Sequence, residues 1–468
     1  MASSSVVFSA GNVLYGRMRP YLNKVARPNF EGLASAEFIV FPESEALDPE
    51  FLLKRLTASD FVQFACSQYE GDRPRVKFDQ LGKFQLNLPP RAEQTRIVAK
   101  LEELLSGLDA GVAELKAAQK KLARYRQSLL KAAVEGALTA DWREQQKTVR
   151  PDGEPGRTIE GRSSVHGSTS SPRTDEQETG AELLQRILTE RRARWEGRQL
   201  AKFQQQGKPA PKDWQAKYPE PATPDTRDLP ALPEEWVWAT LSQIGWLDRG
   251  RSQHRPRNAP HLYGGPYPFV QTGDIRRSDT FLDRVEATYS EEGLAQSKLW
   301  PVGTMCITIA ANIGKTAILA MEACFPDSVV GFLPASEDVS VRYVEYFMRT
   351  AQRMLEDEAP ATAQKNINIE ILEKVSIPLP PPEEQARLVE LLDDLLAATK
   401  AQEHAVAHSL TQSTAQRQNL LRAAFAGQLV PQDPNDEPAS VLLERIRKQR
   451  AAEPKTARMR GRKAKESA

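Results

Sequence analysis

Two short runs in the second half of the chain concentrate side chains that present paired hydrogen-bonding groups. Arg249, Arg251, Ser252, Gln253, His254, Arg255 and Arg257 crowd one basic, polar stretch, and Gln271, Thr272, Asp274, Arg276 and Arg277 follow a short apolar strand further on. A guanidinium offers a planar fork of donors, and a carboxamide sets a donor beside an acceptor. Those forks match base edges, Arg suiting guanine and Asn or Gln suiting adenine, while Lys and Arg also satisfy phosphates. The same composition suits an ordinary solvated loop, so both readings stand at this point. Asn312 and Lys315, and then Lys365, Asn366 and Asn368, are further candidates of the same kind. Arg17, Arg19, Tyr21, Asn23 and Lys24, with Arg73, Arg75 and Lys77, occupy matching places near the start of the chain.

Other chemistries find no support in the residue pattern. Cys66, Cys306 and Cys324 are far apart and odd in number, and with five scattered histidines they make no metal-ligand spacing, so neither a disulfide framework nor structural zinc is expected. Gly314-Lys315-Thr316 resembles the end of a phosphate-binding loop, but Ile309 stands where its first glycine belongs. No glycine-rich dinucleotide loop is present, and Asn258-Ala-Pro-His261 is not the Asn-Pro-Pro-aromatic motif of adenine methylation. The expectation is a chain with no catalytic residues and no cofactor of its own.

The formal charge of +1 decides nothing about nucleic acid, because such binding needs local rather than global positive charge. Arg447 to Lys465 reads as a disordered basic tail, either a solubilising end or a phosphate-tracking arm. No window approaches the roughly 18 uninterrupted apolar residues of a membrane span, and the first residues show no secretory pattern, so a cytoplasmic location is expected.

Positioning such residues falls to a repeated unit. Leu86-Asn-Leu-Pro-Pro-Arg-Ala-Glu-Gln94 aligns with Ile377-Pro-Leu-Pro-Pro-Pro-Glu-Glu-Gln385 at an offset of 291, and the match runs ungapped to Thr139 against Val430. Nineteen of its 54 pairs are identical; chance gives on the order of three. Upstream, Gly11-Asn-Val-Leu-Tyr15 matches Gly303-Thr-Met-Cys-Ile307, so the duplication includes a globular part. Each copy runs from alternating apolar stretches through Leu-Pro-Pro into a long helix closed by Gly136 or Gly427. In the first helix, Leu101, Leu108, Leu115, Leu122 and Leu129 recur every seventh residue, with Ile97, Leu104 and Tyr125 on the complementary positions, which is a coiled-coil seam. The second keeps Leu388, Leu392, Leu395, Val406 and Leu420 but places Thr399, Gln402, Ser409, Ser413 and Gln416 centrally. At 1.5 Å per residue each helix is roughly 69 Å long, enough for the two to lie along one another. An ordinary bundle core is the plainer alternative.

The expected organisation is α+β: a partial recognition domain at 1–88, a long helix at 89–138, and a linker with a short charged helix at 139–230, disordered in part. A second domain follows at 231–380, then a second long helix at 381–428, and a short helix with the basic tail at 429–468.

This grammar of Leu232-Pro-Glu-Glu-Trp-Val-Trp238, a β-rich domain, Leu-Pro-Pro-x-x-Glu-Gln-x-Arg, a long helix and Gly-x-Leu resembles the specificity subunits of type I restriction-modification systems. Tyr267-Pro-Phe-Val-Gln-Thr-Gly-Asp-Ile275 and Arg126-Gln-Ser-Leu-Leu130 also carry the likeness. The resemblance implies two target recognition domains, each reading half of a split DNA site, spaced by helices pairing as an antiparallel coiled coil. It implies as partners double-stranded DNA, two modification subunits using S-adenosylmethionine, and restriction subunits using ATP and magnesium. One departure stands out: Leu232–Pro301 of the second domain has no counterpart ahead of Ser9, so the first domain is expected to lack its N-terminal portion. A protein-binding coiled-coil scaffold and a single-chain enzyme are the competing readings.

Overall fold

The computed structural model describes residues 5–69, 74–149, 178–207, 209–310, 312–358 and 366–452. It comprises two compact units, one of residues 1–120 with 402–468, the other of residues 121–401. The long helices are Arg91–Val134 and Pro382–Phe425, and each unit holds a part of both. Gly136 and Gly427 leave them with the same left-handed φ of 73°, as expected of helix exits. Pro382 is the first residue of its helix, whereas Pro89 and Pro90 stand just ahead of theirs.

The helices pair antiparallel. In the first unit Ile97, Leu101 and Leu105 are buried with Leu421 and Ala424, and Phe51 and Ala58 pack onto the same cluster. In the second, Leu129, Leu130 and Ala133 join Leu388 and Leu392 in the main core, with Leu395 against it. Leu104, Leu108, Leu115, Leu122, Val406 and Leu420 are half-buried between these ends. Tyr125 departs from the expected seam and is 47% exposed. The seam steps instead through Ala118, Leu122, Arg126 and Leu129, since a straight helix drifts about 20° per heptad against a strict seven-residue repeat. Thr399, polar yet only 3% exposed, is satisfied by its own helix, its hydroxyl donating to the Leu395 carbonyl at 2.7 Å.

The globular parts repeat strand for strand. In the second unit, Met305–Thr308 lies between Thr316–Leu319 and Val329–Pro334, and Gly245–Arg249 and Phe281–Leu282 complete a five-stranded sheet. In the first, Val13–Gly16 lies between Val25–Ala26 and Phe38–Phe41 in three strands. The registers coincide: Leu14 opposes Val40 as Cys306 opposes Gly331, and Tyr15 opposes Val25 as Ile307 opposes Thr316. The two strands peculiar to the second sheet come from the stretch without a counterpart in the first.

One residue pair joins each sheet to its long helix. Gln94 and Gln385 are buried at equivalent places in the Glu-Gln motif. Gln94 accepts from Asp48 N–H at 2.7 Å and donates to the carbonyls of Ala46 and Pro89. Gln385 accepts from Ser340 N–H at 2.9 Å and donates to the Pro380 carbonyl. Asp48 caps the helix Pro49–Thr57 and Ser340 precedes the helix Val341–Glu358, so each amide fixes the sheet-covering helix against the start of a long one. Beside it, fully buried Glu384 accepts from Trp236 Nε1 at 2.7 Å, from Thr139 Oγ1 at 2.6 Å, and from Arg143.

A third tie is ionic. Asp279 meets Lys400 at 2.5 Å and Arg126 at 3.5 Å, while Arg349 donates to its carbonyl. The hydrogen bond from Lys400 holds the Asp279 carboxyl below its ordinary range, against the opposing effect of partial burial.

Two outcomes follow. Gln385→Leu keeps the volume but strands a buried N–H and a carbonyl, so urea unfolding of the chain should register a loss of about 1–3 kcal/mol. For Asp279 the folded pKa is depressed, so its stabilisation is present above the unfolded value near 3.8 and is lost as pH falls through the lower folded value. Melting curves between about pH 6 and pH 3 should therefore fall more steeply for the parent than for Asp279→Asn, and parallel curves would exclude the contribution.

Candidate nucleic-acid interface

The basic run begins at the end of strand Gly245–Arg249 and is rooted by Gly250. Gly250 donates to the Val329 carbonyl, and a Cβ there would meet the Phe325 carbonyl oxygen at 2.2 Å, so only glycine lets the chain pass. Beyond it the candidates separate into two kinds. Ser252 is buried beneath the loop with its hydroxyl 3.4 Å from Tyr289. His254 N–H donates to Gln296, and the Arg255 guanidinium folds back onto the carbonyls of Ser252, Gln253 and His254. Arg257 pairs with Asp327 at 2.8 Å. These four hold the loop's path. Arg249, Arg251 and Gln253 are exposed, and their side-chain nitrogens and oxygens meet no partner among the described residues.

The second run behaves likewise. Gln271 precedes the helix Thr272–Arg277, and its N–H donates to Asp274 at 2.8 Å. Asp274 also takes a hydrogen bond from Arg277 at 2.7 Å, which makes it a capping carboxylate rather than a free acceptor. Thr272 is half-buried. Arg276 is exposed with no partner among the described residues.

The remaining candidates are mostly parts of turns. Asn312 and Lys315 bound a tight turn in which Thr308 Oγ1 donates to the Asn312 carbonyl and Lys315 N–H donates back to Thr308 Oγ1 at 3.1 Å. Asn366 bridges Ala310, and Asn368 caps the helix Ile369–Glu373 by accepting from Ile371 N–H at 3.0 Å. Lys365 and Arg73 lie outside the described residues. In the first unit, Arg17 donates to the carbonyls of Val76 and Ala36, and Asn23 donates to Leu56. Arg75 pairs with Glu37 at 2.9 Å, and Lys77 N–H donates to Gln80. Arg19, Tyr21 and Lys24 are exposed around a short turn in which Arg19 and Asn23 take positive φ of 53° and 42°.

Gln296 and Asp327, which hold the basic loop, escape sequence reasoning because they lie 42 and 70 residues from their partners. Burial pushes the Cys306 and Cys324 thiols up, away from reactivity. Among the described residues no group of three His, Cys, Asp or Glu side chains is placed to hold a metal, and no helix is long and apolar enough to cross a membrane.

The chain is thus a duplicated sheet-and-helix unit on two antiparallel long helices, with exposed forked donors beside the sheet. Residues 233–410 match the type I restriction modification DNA specificity domain. Among curated relatives, the EcoDI specificity subunit of Escherichia coli is 29% identical over 144 residues, 31% of this chain and 32% of that one. The EcoBI specificity subunit of the same organism is 23% identical over 391 residues, 78% of this chain and 65% of that one. The chain thus spans about a third to two thirds of the length of these relatives. The fold matches a chain solved in work on complex assembly and conformational transition of the type I R-M system, with a TM-score of 0.63 at 20% identity over 92% of this chain and 85% of that one. Residues 233–410 thus carry the type I restriction modification DNA specificity domain, and the chain is similar to the specificity subunits of type I restriction-modification systems.

The geometry separates two roles that stability measurements resolve. Asp274→Ala removes a cap and should cost about 1 kcal/mol, whereas Arg276→Ala should stay within about 0.5 kcal/mol. Equal melting temperatures for the two variants would contradict the assigned roles.

Proposed function

We propose that this chain is the non-catalytic reader of a type I restriction-modification complex, binding a split double-stranded DNA site and directing adenine methylation and restriction by its partners. The observation that carries the reading is the set of exposed donors without a partner among the described residues, Arg249, Arg251, Gln253 and Arg276, on a strand end, a loop and a short helix whose paths are held by other residues. Fixed loops with free forks meet the demand of base readout, which needs donors aimed within a narrow tolerance. Arg19, Tyr21 and Lys24 of the first unit, at places matching the turn of Asn312 and Lys315, are the donors for the other half-site. The paired helices set the distance between half-sites and offer the surface for two modification subunits that use S-adenosylmethionine. Restriction subunits with ATP and magnesium complete the complex, in the cytoplasm. The chain itself contributes no cofactor site.

Single-molecule methylome sequencing of a host expressing this chain with its modification subunits tests the proposal. A split adenine-methylated motif that disappears when the chain is deleted is expected. Arg251→Ala or Arg276→Ala should relax the motif at particular bases, each contact being worth about 1–3 kcal/mol of discrimination. A charge at Leu108 or Leu115 should disturb helix pairing and with it the spacing. Unchanged methylation in all four variants would defeat the site assignment, and DNA binding without steep salt dependence would favour a protein scaffold instead.

A further inference from the structure

The helix Gly180–Gln205 changes character along its length. Its first turns belong to the core of the second unit, where Leu183 and Ile187 are buried with Trp236 and Ile244. Arg191 then donates to the carbonyls of Gln243 and Gly245, and Arg191 and Arg194 lie over the Trp246 ring at 5.0 and 5.3 Å. From there to its end no residue of the helix is buried. The last turns are braced instead by the returning chain. Trp195 stacks on Trp214 with ring centres 5.7 Å apart, Phe203 meets Trp214 edge-on, and Tyr218 meets Trp195 in the same way. Ordering these rings costs conformational entropy, and a helix end that served solubility alone would not need them.

The braced segment is also where positive charge collects. Residues 191–220 hold eight cations and three acids, a surplus of five in a chain whose net charge is +1. Two of those acids, Glu196 and Glu220, lie 3.3 and 3.6 Å from Arg192 and are engaged with it. Arg194, Arg198 and Lys202 stand four residues apart on one face of the helix, exposed, and no carboxylate among the described residues pairs with them. Arg198 Nε reaches the Arg194 carbonyl at 3.4 Å, which leaves its charge unneutralised. At 1.5 Å per residue the stripe repeats about every 6 Å and runs for about 12 Å. Burial holds the Arg191 guanidinium below its usual range, and the like charges of Arg194 and Arg198 push the same way. Like charges four residues apart destabilise a helix, and a bound anion would relieve them.

What lies beside the cations selects the anion. Ala193, Gly197 and Ala201 are exposed next to the stripe, whereas the aromatic rings turn onto one another. Leu200, 44% exposed, is the large apolar side chain this stretch offers. A protein partner needs a cluster of apolar anchors at the centre of its footprint, while a row of Lys and Arg on small residues suits a row of phosphates. The arm is also rooted where the readout begins. Trp246 lies on the edge strand Gly245–Arg249, whose far end delivers Arg249 and Arg251. The five residues from Trp246 to Arg251 span about 16 Å when extended, roughly half a turn of duplex DNA.

We propose that Arg194, Arg198 and Lys202 form a phosphate-binding arm that holds the backbone of duplex DNA beside the bases met by Arg249 and Arg251, a role that rests on reading the chain as a DNA-binding protein. The arm adds affinity without sequence preference, because phosphates are alike at every base pair.

The full chain in complex with its modification subunits tests the arm, using one duplex with the methylated motif inside long flanks and one of unrelated sequence. Arg194→Gln, Arg198→Gln and Lys202→Gln together should weaken binding to both duplexes by the same factor. The slope of log Kd against log salt should become shallower by about 2–3, with the methylated motif and the melting temperature as in the parent. Trimming the flanks should lower the parent's slope by a similar amount and leave the variant's unchanged, a comparison in which the parent protein is untouched. An unchanged slope in the variant, or an equal effect of trimming on both proteins, would overturn the arm even with the motif methylated as before. A lowered slope with no motif methylated in any host would instead defeat the base-reading assignment and leave the arm standing as a phosphate contact. A variant that binds DNA as the parent does but sheds its modification subunits would assign the stripe to a protein partner and overturn the proposal.

Discussion

The organisation of the second unit depends on one buried carboxylate. Glu384 is removed from solvent, and a carboxylate there is tolerable only when hydrogen-bonded and paired. Its three donors come from distant stretches: Thr139 and Arg143 follow the first long helix, 245 and 241 residues away, and Trp236 opens the domain, 148 residues away. A single side chain in the first turn of the second long helix thus gathers the end of the first helix and the lead-in of the sheet. The arrangement also explains why the helices run antiparallel, since the exit of one must lie beside the start of the other. Loss of a partner from such a buried cluster costs about 3–5 kcal/mol, more than any single exposed pair returns.

From that node the other ties follow in sequence. Trp236 is succeeded at once by Val237–Thr240, and Ser376–Leu379, its partner strand, ends at the prolines that begin the second long helix. Gln385, adjacent to Glu384, then fixes the covering helix through Ser340. Asp279 adds an ionic link from the sheet side to Lys400 and Arg126, one on each long helix. The domain is held at three points around the helix pair, and the loop at Arg249–Arg257 springs from the side of the sheet formed by Gly245–Arg249 and Val329–Pro334.

Much of this frame was legible in the residues. Duplication, helix limits and a helix seam follow from identities and periodicity, which are properties of neighbouring positions, whereas the antiparallel sense of the pairing rested on the family resemblance. The seam failed at Tyr125 because heptad counting assumes 3.5 residues per turn throughout, and the real helix shifts the contact to Arg126. Site residues were harder to read because one residue type serves two purposes. Asn368 and Asp274 have the polar groups of a base reader, but Asn368 sits one step before a short helix and Asp274 in the first turn of another, and each caps its helix. Ser252 and Arg257 were indistinguishable from Arg249 and Arg251 until Tyr289 and Asp327 came beside them, contacts that no local pattern encodes.

The division between holding and free residues has a physical consequence for the proposed reading of DNA. Arg255 secures the loop by donating to backbone carbonyls, which every residue type supplies, rather than to the side chains of its neighbours. Gly250 and the His254 N–H likewise act through the main chain. Substitution at positions 249, 251 or 253 therefore alters the groups presented without removing a bond that sets the loop's course. Rigid support of exchangeable side chains is what a reader of variable sequence requires, because aim is fixed by the frame and identity by the tips. Cations at Arg257, Arg277 and Lys400 are instead neutralised within the fold by Asp327, Asp274 and Asp279.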